Sequence, residues 1–329
     1  LTALEWTYQL LNTREQRLFC SLGIYTDMFS VKSVSDLLLI KDKHRWQVVD
    51  DLQRLLSFSL IQVSTQVPET RFRLLETMRQ FACDKLRQQG EYTVLEARFA
   101  DYNKVLVKEA QDDWFMLPTG QWRERYSHIL NDLRSVLQQT LIEGADPSKG
   151  LEILQAMTPF WIEYSLYDEC QRHIYPLLYE NTSQVVLTLR QRMNLSAVAG
   201  KASTWAKGPT PETHSAWKTA LTIAEKLDDK EIRLQAHYGL WLYYLRTGEL
   251  DKALEHAQSM CELARSITDE EAMATGLRIL GVSLHFLGRH DVGRDYLQQS
   301  LDWYEHGELS HSFRFGLDQE SAGQAFLSR

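Results

Sequence analysis

The sequence predicts a mainly α-helical chain with one small β-hairpin near its N-terminal end and repeated helix pairs near its C-terminal end. Apolar residues recur at helical spacing along most of the 329 residues. The spacing changes to alternation only in the segments SLIQVS and RFRLLE, which indicates two short strands. Gly208, Gly248 and Gly288 follow one another at intervals of 40 residues. Such a fixed period is typical of stacked helical repeats.

Composition narrows the class of protein. A chain of this length exceeds the usual single hydrophobic core, so two or three modules are expected. The net charge of −8 gives no electrostatic support for nucleic acid as the main partner. No apolar run approaches the ~18 residues that span a bilayer, and the far-separated cysteines indicate buried free thiols in a reducing cytoplasm. Those cysteines are Cys20, Cys83, Cys170 and Cys261.

Four helices and a hairpin are predicted in the first ninety residues. The second helix begins after a capping Thr13, and the third after a capping Ser30. The fourth, RWQVVDDLQRLLS, is expected to bury five apolar residues: Val48, Val49, Leu52, Leu55 and Leu56. A turn at Pro68 joins the two strands. This order of elements predicts a winged helix.

Charge argues against DNA reading by this winged helix. A recognition helix meets phosphates and base edges with basic and amide side chains. The fourth helix offers Arg45 and Arg54 but sets Asp50 and Asp51 near its middle. The sequence therefore favours a partner protein. Direct DNA binding is the alternative, and salt-sensitive retention on duplex DNA that Arg45→Glu with Arg54→Glu abolishes would support it.

The C-terminal half is predicted to form helix pairs of tetratricopeptide type. Each turn glycine is followed by a helix with a small residue at the close-packing position: Ala216, Ala253 and Gly293. Stacked pairs leave a concave groove. Its candidate ligand-binding residues are Trp205, Gln235, Tyr238, Leu242, Arg246, Arg278, Val282 and His285. Aromatic rings with two arginines suit a carboxylate- or phosphate-bearing effector or a peptide. The competing interpretation is that Trp205, Trp241, Tyr243 and Tyr244 are core between repeats and that Arg246 and Arg278 are solvated.

Several segments resemble one family. WTYQLLNTREQRLFCSLGIYTDMFS, RFRLLETMRQFACDKL and ILNDLRSVLQQTL are similar to blocks of bacterial STAND-class transcriptional regulators (signal-transduction ATPases with numerous domains). The resemblance implies a winged-helix regulatory domain over residues 1–90 and a helical arm over 91–180. It also implies a tetratricopeptide-like sensor over 181–329, truncated at its C-terminus.

The resemblance implies a regulatory role without catalysis in this chain. The phosphate-binding GxxxxGK[ST] loop is absent from the sequence, as are catalytic and metal-site motifs. In the family, ATP or ADP with Mg²⁺ is held by a preceding nucleotide-binding domain, and DNA is bound by a separate domain. An inducer or regulatory protein binds the repeats, in the cytoplasm. Contact with the nucleotide-binding domain is expected from Arg71, Arg73, Glu76 and Arg79. A standalone peptide-binding scaffold is the rival function.

Overall fold

The computed structural model describes residues 2–64, 70–114, 116–180, 186–306, 314–315 and 319–327. The chain divides into two compact units, Leu1–Pro159 and Phe160–Arg329. Helices dominate both units, and the described strands form one two-stranded sheet, so the predicted fold class is confirmed. The predicted division into three functional parts stays a prediction. The predicted turn at Pro68 lies outside the described residues.

The N-terminal unit contains nine α-helices and one strand pair in its described part. The helices are α1 (Thr2–Gln9), α2 (Thr13–Leu22), α3 (Val31–Leu37), α4 (Arg45–Ser57), α5 (Glu76–Gln88), α6 (Tyr92–Asp113), α7 (Thr119–Tyr126), α8 (Leu130–Leu137) and α9 (Pro147–Ala156). The strands are β1 (Gln62–Ser64) and β2 (Arg71–Arg73). They pair antiparallel with Val63 opposite Phe72. Phe29 bridges the other edge of Phe72 through two 2.8 Å backbone hydrogen bonds, which extends the small sheet.

Helices α2 and α3 of this unit each begin at a residue whose side chain caps the helix. Ser30 caps α3 as predicted, and its hydroxyl oxygen accepts a hydrogen bond from the Ser33 backbone N–H. The cap of α2, however, is Asn12 and not Thr13. The Asn12 carboxamide oxygen accepts from two backbone N–H groups, while the Glu15 carboxylate accepts from the Asn12 N–H at 2.8 Å. This reciprocal pair draws Thr13 into the first turn.

Helix α8 packs against the segment that follows α2 through a buried carboxylate. Asp132 on α8 is buried and accepts hydrogen bonds from the backbone N–H and the hydroxyl of Thr26, both at 2.7 Å. Burial raises the pKa of Asp132 to about 7, and the two bonds from Thr26 act in the opposite direction. The NDLR block that carries part of the family resemblance therefore has a local role, because it fastens α8 to the loop after α2.

The C-terminal unit is a stack of helices. Helix α10 (Thr158–Glu163) contains the point of division, and it is followed by α11 (Tyr167–Tyr179), α12 (Leu189–Ala206), α13 (Pro211–Leu227), α14 (Lys230–Thr247), α15 (Leu250–Ile267), α16 (Glu270–Phe286), α17 (His290–His306) and α18 (Gln319–Leu327). From α11 onward each helix packs against the next. None of the helices in the described ranges is long and apolar enough to cross a bilayer.

The repeat period is confirmed by the turns between paired helices. Gly208, Gly248 and Gly288 have φ angles of 76°, 80° and 78°, a left-handed conformation that glycine adopts without a Cβ clash. The three small residues predicted at close-packing positions are buried as well. All four cysteines are free and buried, which confirms that prediction.

Candidate functional site

The outward face of α4 is apolar and acidic. Val48, Leu52 and Leu55 are buried as predicted, but Val49 and Leu56 are exposed, so the prediction for those two residues is wrong. Trp46, Val49 and Leu56 follow one another at helical spacing and are 58 %, 36 % and 38 % exposed. The exposed charged and amide residues between them are Asp50, Gln53 and Arg54, and the Arg54 guanidinium lies 4.7 Å from the centre of the Phe58 ring. We call this the α4 face: Trp46, Val49, Asp50, Gln53 and Leu56.

Two of the charged residues of α4, Asp51 and Arg45, form ion pairs within the N-terminal unit. Asp51 is only 4 % exposed and accepts two hydrogen bonds from the Arg14 guanidinium of α2, at 2.7 and 3.1 Å. The expectation that Asp51 faces a partner is therefore wrong, because α2 covers it. Arg45 pairs with Asp36 and Asp42 at 3.0 Å. Only Asp50 remains as an outward carboxylate of the pair.

The residues predicted to contact a neighbouring domain are not equivalent. Arg71 is buried, at 7 % exposure, and lines a cavity between the winged helix and α6. Arg73 is exposed and its guanidinium donates to the Gln62 side chain at 3.2 Å. Glu76 and Arg79 pair with each other at 2.8 Å along α5. Of these four residues, Arg73 and Glu76 are exposed. Their contact with a neighbouring domain stays a prediction, separate from the α4 face.

The predicted groove residues lie at different depths. The buried ones are Tyr238, Leu242, Arg278 and Val282, the partly buried ones are Trp205, Gln235 and His285, and Arg246 is exposed. The two arginines do not converge. Arg278 is 2 % exposed with its guanidinium 5.5 Å from the centre of the Trp241 ring, whereas Arg246 donates to the Thr204 carbonyl at 3.4 Å. An anion-binding groove therefore gains no support from these two positions.

Carboxylates converge at the N-terminal ends of α14 and α16. Glu231 lies in the first turn of α14, Asp269 caps α16, and Glu271 lies in the first turn of α16. All three contact Arg314, a residue that sequence reasoning missed. Nothing in the periodicity of α14 or α16 indicates a partner 83 residues away. A usable signal was the pair Arg314-Phe315, a cation beside an aromatic ring in the segment SHSFRFGLD.

A second cavity lies among α11, α12 and α13. Its volume is about 470 Å³, within the range of small-molecule sites. The lining combines a close tyrosine pair, with ring centres 4.6 Å apart, and polar groups from three helices. Lining residues include Cys170, Tyr175, Tyr179, Ser203, Lys207 and Glu212. Among the residues that the structure describes, no group of three histidine, cysteine or acidic side chains is placed to hold a metal ion.

Histidines and one tyrosine form a ladder across α13, α14 and α15. His214 lies 2.8 Å from the Tyr244 hydroxyl, and the Tyr244 ring stacks on His256. The Nδ1 atoms of His256 and His237 are 3.0 Å apart, so one ring donates and the other accepts. Burial lowers the pKa of His237 to about 3 and that of His256 to about 4. Both rings are therefore neutral at pH 7.

Acidification is expected to destabilise the C-terminal unit through His237 and His256. An unfolded histidine binds a proton near pH 6.5, whereas these two bind one only near pH 3 to 4 when folded. Their contribution to stability is complete above pH 6.5 and is lost as the pH falls toward 4. We expect the free energy of unfolding of this unit to drop by about 4 kcal/mol between pH 7.5 and pH 5, with each ring contributing about half, measured by urea denaturation.

The double variant His237→Gln with His256→Gln is the control for this pH effect. It removes both titrating rings but leaves His128, whose pKa burial also lowers to about 3, and Asp132 in the N-terminal unit. The loss of stability between pH 7.5 and pH 5 should therefore decrease by the contribution of His237 and His256. An unchanged slope in the double variant would contradict the assignment.

Comparison with known proteins points to transcriptional regulators. No family model matches the chain. Proteins named "Putative HTH-type transcriptional regulator" from Mycobacterium bovis (Mb0914c) and Mycobacterium tuberculosis (MT0914 and Rv0890c) are 26 % identical to it over 310 residues, 91 % of this chain. The match covers 34 % of each relative, so the chain spans about a third of the length of the curated relatives it matches. The predicted resemblance to bacterial transcriptional regulators is confirmed at that level.

Among solved structures, the chain is similar to the structure of one STAND protein. It is the crystal structure of a Signal Transduction ATPase with Numerous Domains (STAND) protein with a tetratricopeptide repeat sensor from Pyrococcus horikoshii. The TM-score is 0.45 at 14 % sequence identity, over 98 % of this chain and 54 % of that chain.

Proposed function

We propose that this chain is the regulatory portion of a STAND-type ATPase that controls transcription. Its winged helix docks on a nucleotide-binding domain that holds ATP or ADP with Mg²⁺, and its repeats receive the signal. The chain itself carries no catalytic step. DNA is bound by a different domain of the same cytoplasmic protein. Support comes from the regulator names of the relatives and from the family blocks in the sequence.

The observation that carries the docking role is the α4 face. A DNA-reading helix needs cations and amides opposite the phosphates. The α4 face instead presents an indole, two aliphatic side chains and a carboxylate beside the single amide of Gln53, and the adjacent Arg54 lies over the Phe58 ring. Exposed apolar residues grouped on one helix mark a surface that another polypeptide covers. Tryptophan at the centre of such a surface is the residue type that most often contributes strongly to protein–protein affinity.

The sensor role of the repeats rests on the C-terminal unit. Stacked helix pairs present an extended concave surface on which a ligand or a partner segment can bind. The cavity of about 470 Å³ among α11, α12 and α13 is a second candidate ligand site in the same unit. An inducer bound to either place would stabilise the unit by mass action, which thermal shift measures. The standalone scaffold is the rival function, and it gives the N-terminal unit no role.

The docking role is tested with the triple variant Trp46→Ser, Val49→Ser and Leu56→Ser. We expect the unsubstituted chain to bind the nucleotide-binding domain encoded before Leu1 in the same reading frame. The triple variant should bind it at least about ten-fold more weakly, because each lost apolar anchor costs more than about 1 kcal/mol. The affinity is measured by calorimetric titration. Circular dichroism should be unchanged, since the three side chains are exposed.

A matched control removes the same three residue types elsewhere in the N-terminal unit. Trp6→Ser, Leu10→Ser and Val94→Ser remove side chains that are 65 %, 47 % and 56 % exposed. This variant should bind the nucleotide-binding domain as well as the unsubstituted chain. Equal affinity of both triple variants would exclude the α4 face as the docking site. A reading frame without a GxxxxGK[ST] loop before Leu1 would exclude the STAND assignment altogether.

A further inference from the structure

Two consecutive residues of the chain lie in the groove between α14 and α16. Arg314 is partly buried and Phe315 is 4 % exposed. The Phe315 ring lies 5.5 Å from the ring of Tyr238 and belongs to the same apolar cluster as Leu234 and Ile279. The first helices of two successive pairs thus contribute both walls. The groove that was predicted to hold a ligand is already occupied by a short piece of polypeptide.

The guanidinium of Arg314 is held by three carboxylates. Its Nε donates to Glu231 at 3.1 Å, its Nη1 lies 2.9 Å from an Asp269 oxygen, and Glu271 is 3.6 Å away. The Nη2 group also donates to Glu231. Burial alone would lower the pKa of Arg314, but hydrogen bonding to Glu231 and the charges of Glu231 and Asp269 raise it. The ion is therefore firmly retained in its charged form.

Three carboxylates at the mouth of one groove repel one another unless a cation separates them. Besides Arg314, the neighbouring cation is Lys201 on α12, whose pKa burial lowers to about 8 although Glu231 opposes the shift. Arg314 contacts all three carboxylates, so a guanidinium at this place offsets their mutual repulsion. The apolar cluster that holds the Phe315 ring lies next to the three carboxylates that hold Arg314. Three carboxylates next to an apolar cluster favour a peptide in which a guanidinium is followed by an aromatic side chain.

We propose that the groove between α14 and α16 is a recognition site for an arginine followed by an aromatic residue, and that Arg314 and Phe315 fill it until a partner peptide of the same chemistry replaces them. The inference deepens the proposed sensor role and rests on it. It gives the unidentified partner a chemical class: a segment of another polypeptide with a cation and an adjoining ring. A partner peptide must compete with Arg314 and Phe315, because these two residues already occupy the groove.

Competition sets the size of the expected effect. A segment tied to its own groove acts at an effective concentration of about 1 mM. A free peptide with an intrinsic dissociation constant of about 10 μM would therefore bind the unsubstituted chain about 100-fold more weakly than a chain whose groove is empty. Removing the resident side chains should reveal the site.

The test is a titration with a labelled peptide, acetyl-Ser-Phe-Arg-Phe-Gly-Leu-amide, followed by fluorescence anisotropy. We expect the variant Arg314→Ala with Phe315→Ala to bind it at least about ten-fold more tightly than the unsubstituted chain. A peptide with glutamate in place of arginine should not bind, and Glu231→Gln in the double variant should weaken binding. No binding by a double variant that unfolds cooperatively would overturn the proposal and would indicate a fixed structural link.

A second measurement covers a double variant that fails to fold. Arg314→Gln removes the charge but keeps Phe315, so chymotrypsin should cleave after Phe315 at least about five-fold faster than in the unsubstituted chain. Equal cleavage rates would overturn the proposal. Both experiments use the chain alone and do not involve the α4 face. Loss of docking to a nucleotide-binding domain with intact peptide binding would therefore refute the STAND assignment but leave the groove assignment standing.

Discussion

Replacing Trp217 by alanine is expected to lower the free energy of unfolding of the C-terminal unit by about 3–5 kcal/mol. Trp217 of α13 is 3 % exposed, and its ring lies between Gly200 of α12 and Gly239 of α14. A Cβ on either glycine would come within 2.6 Å or 2.2 Å of ring atoms, so the helices are spaced to fit the indole. Its Nε1 donates to the Thr204 hydroxyl at 3.1 Å. Alanine would leave a cavity that two glycines cannot fill.

The loss is measured by urea denaturation followed by circular dichroism at 222 nm. Trp6→Ala provides the control, because Trp6 is 65 % exposed and its truncation should change the free energy of unfolding by less than about 1 kcal/mol. If Trp217→Ala lowers the free energy of unfolding no more than the control does, the space between Gly200 and Gly239 closes around the deletion without a loss of stability, and the prediction is contradicted.

Adding one methyl group at Gly281 is the second large expected effect, a loss of about 2–3 kcal/mol. The Cβ of alanine there would lie 2.7 Å from the backbone oxygen of Gly293 and 3.1 Å from the Leu297 nitrogen. Both atoms belong to the backbone of α17, which cannot rotate away as a side chain can. Helices α16 and α17 must separate, and this outweighs the roughly 1 kcal/mol by which alanine favours a helix over glycine.

Gly120→Ala is the matched control for the substitution at Gly281. Gly120 also lies in a helix, α7, and a Cβ there meets nothing within 4 Å. Its alanine variant should be as stable as the unsubstituted chain or slightly more stable, by thermal unfolding. Equal melting temperatures for the two alanine variants would show that α16 and α17 tolerate a wider spacing.

The repeat turns were predictable because their cause is local. A helix that ends in a left-handed residue favours glycine whatever surrounds it. Gly208, Gly248 and Gly288 therefore mark the turns in the sequence and have positive φ angles in the structure. The cap at Ser30 was predictable for the same reason. At α2 two capping residues stood side by side, and only the geometry of the Asn12–Glu15 pair decides between them.

The exposed face of α4 was not predictable from periodicity. Apolar residues cover more of this helix than one neighbour can bury, since Val48 and Val49, and likewise Leu55 and Leu56, are adjacent in the sequence. Adjacent helical residues point about 100° apart, so one of each pair turns outward. Which member is buried depends on the position of α2 and α3. The same packing covers Asp51 with Arg14 and leaves Asp50 in solvent.

By itself, the sequence determined the helices, the hairpin, the forty-residue period and the absence of a phosphate-binding loop from this chain, because each is written in spacing along one segment. Only the tertiary structure decided which charges meet and which apolar groups remain exposed. It buried Arg278 beside Trp241 and brought Arg314 to Glu231, 83 residues away. Burial and charge pairing depend on elements far apart in the chain, and helical periodicity carries no information about which element arrives.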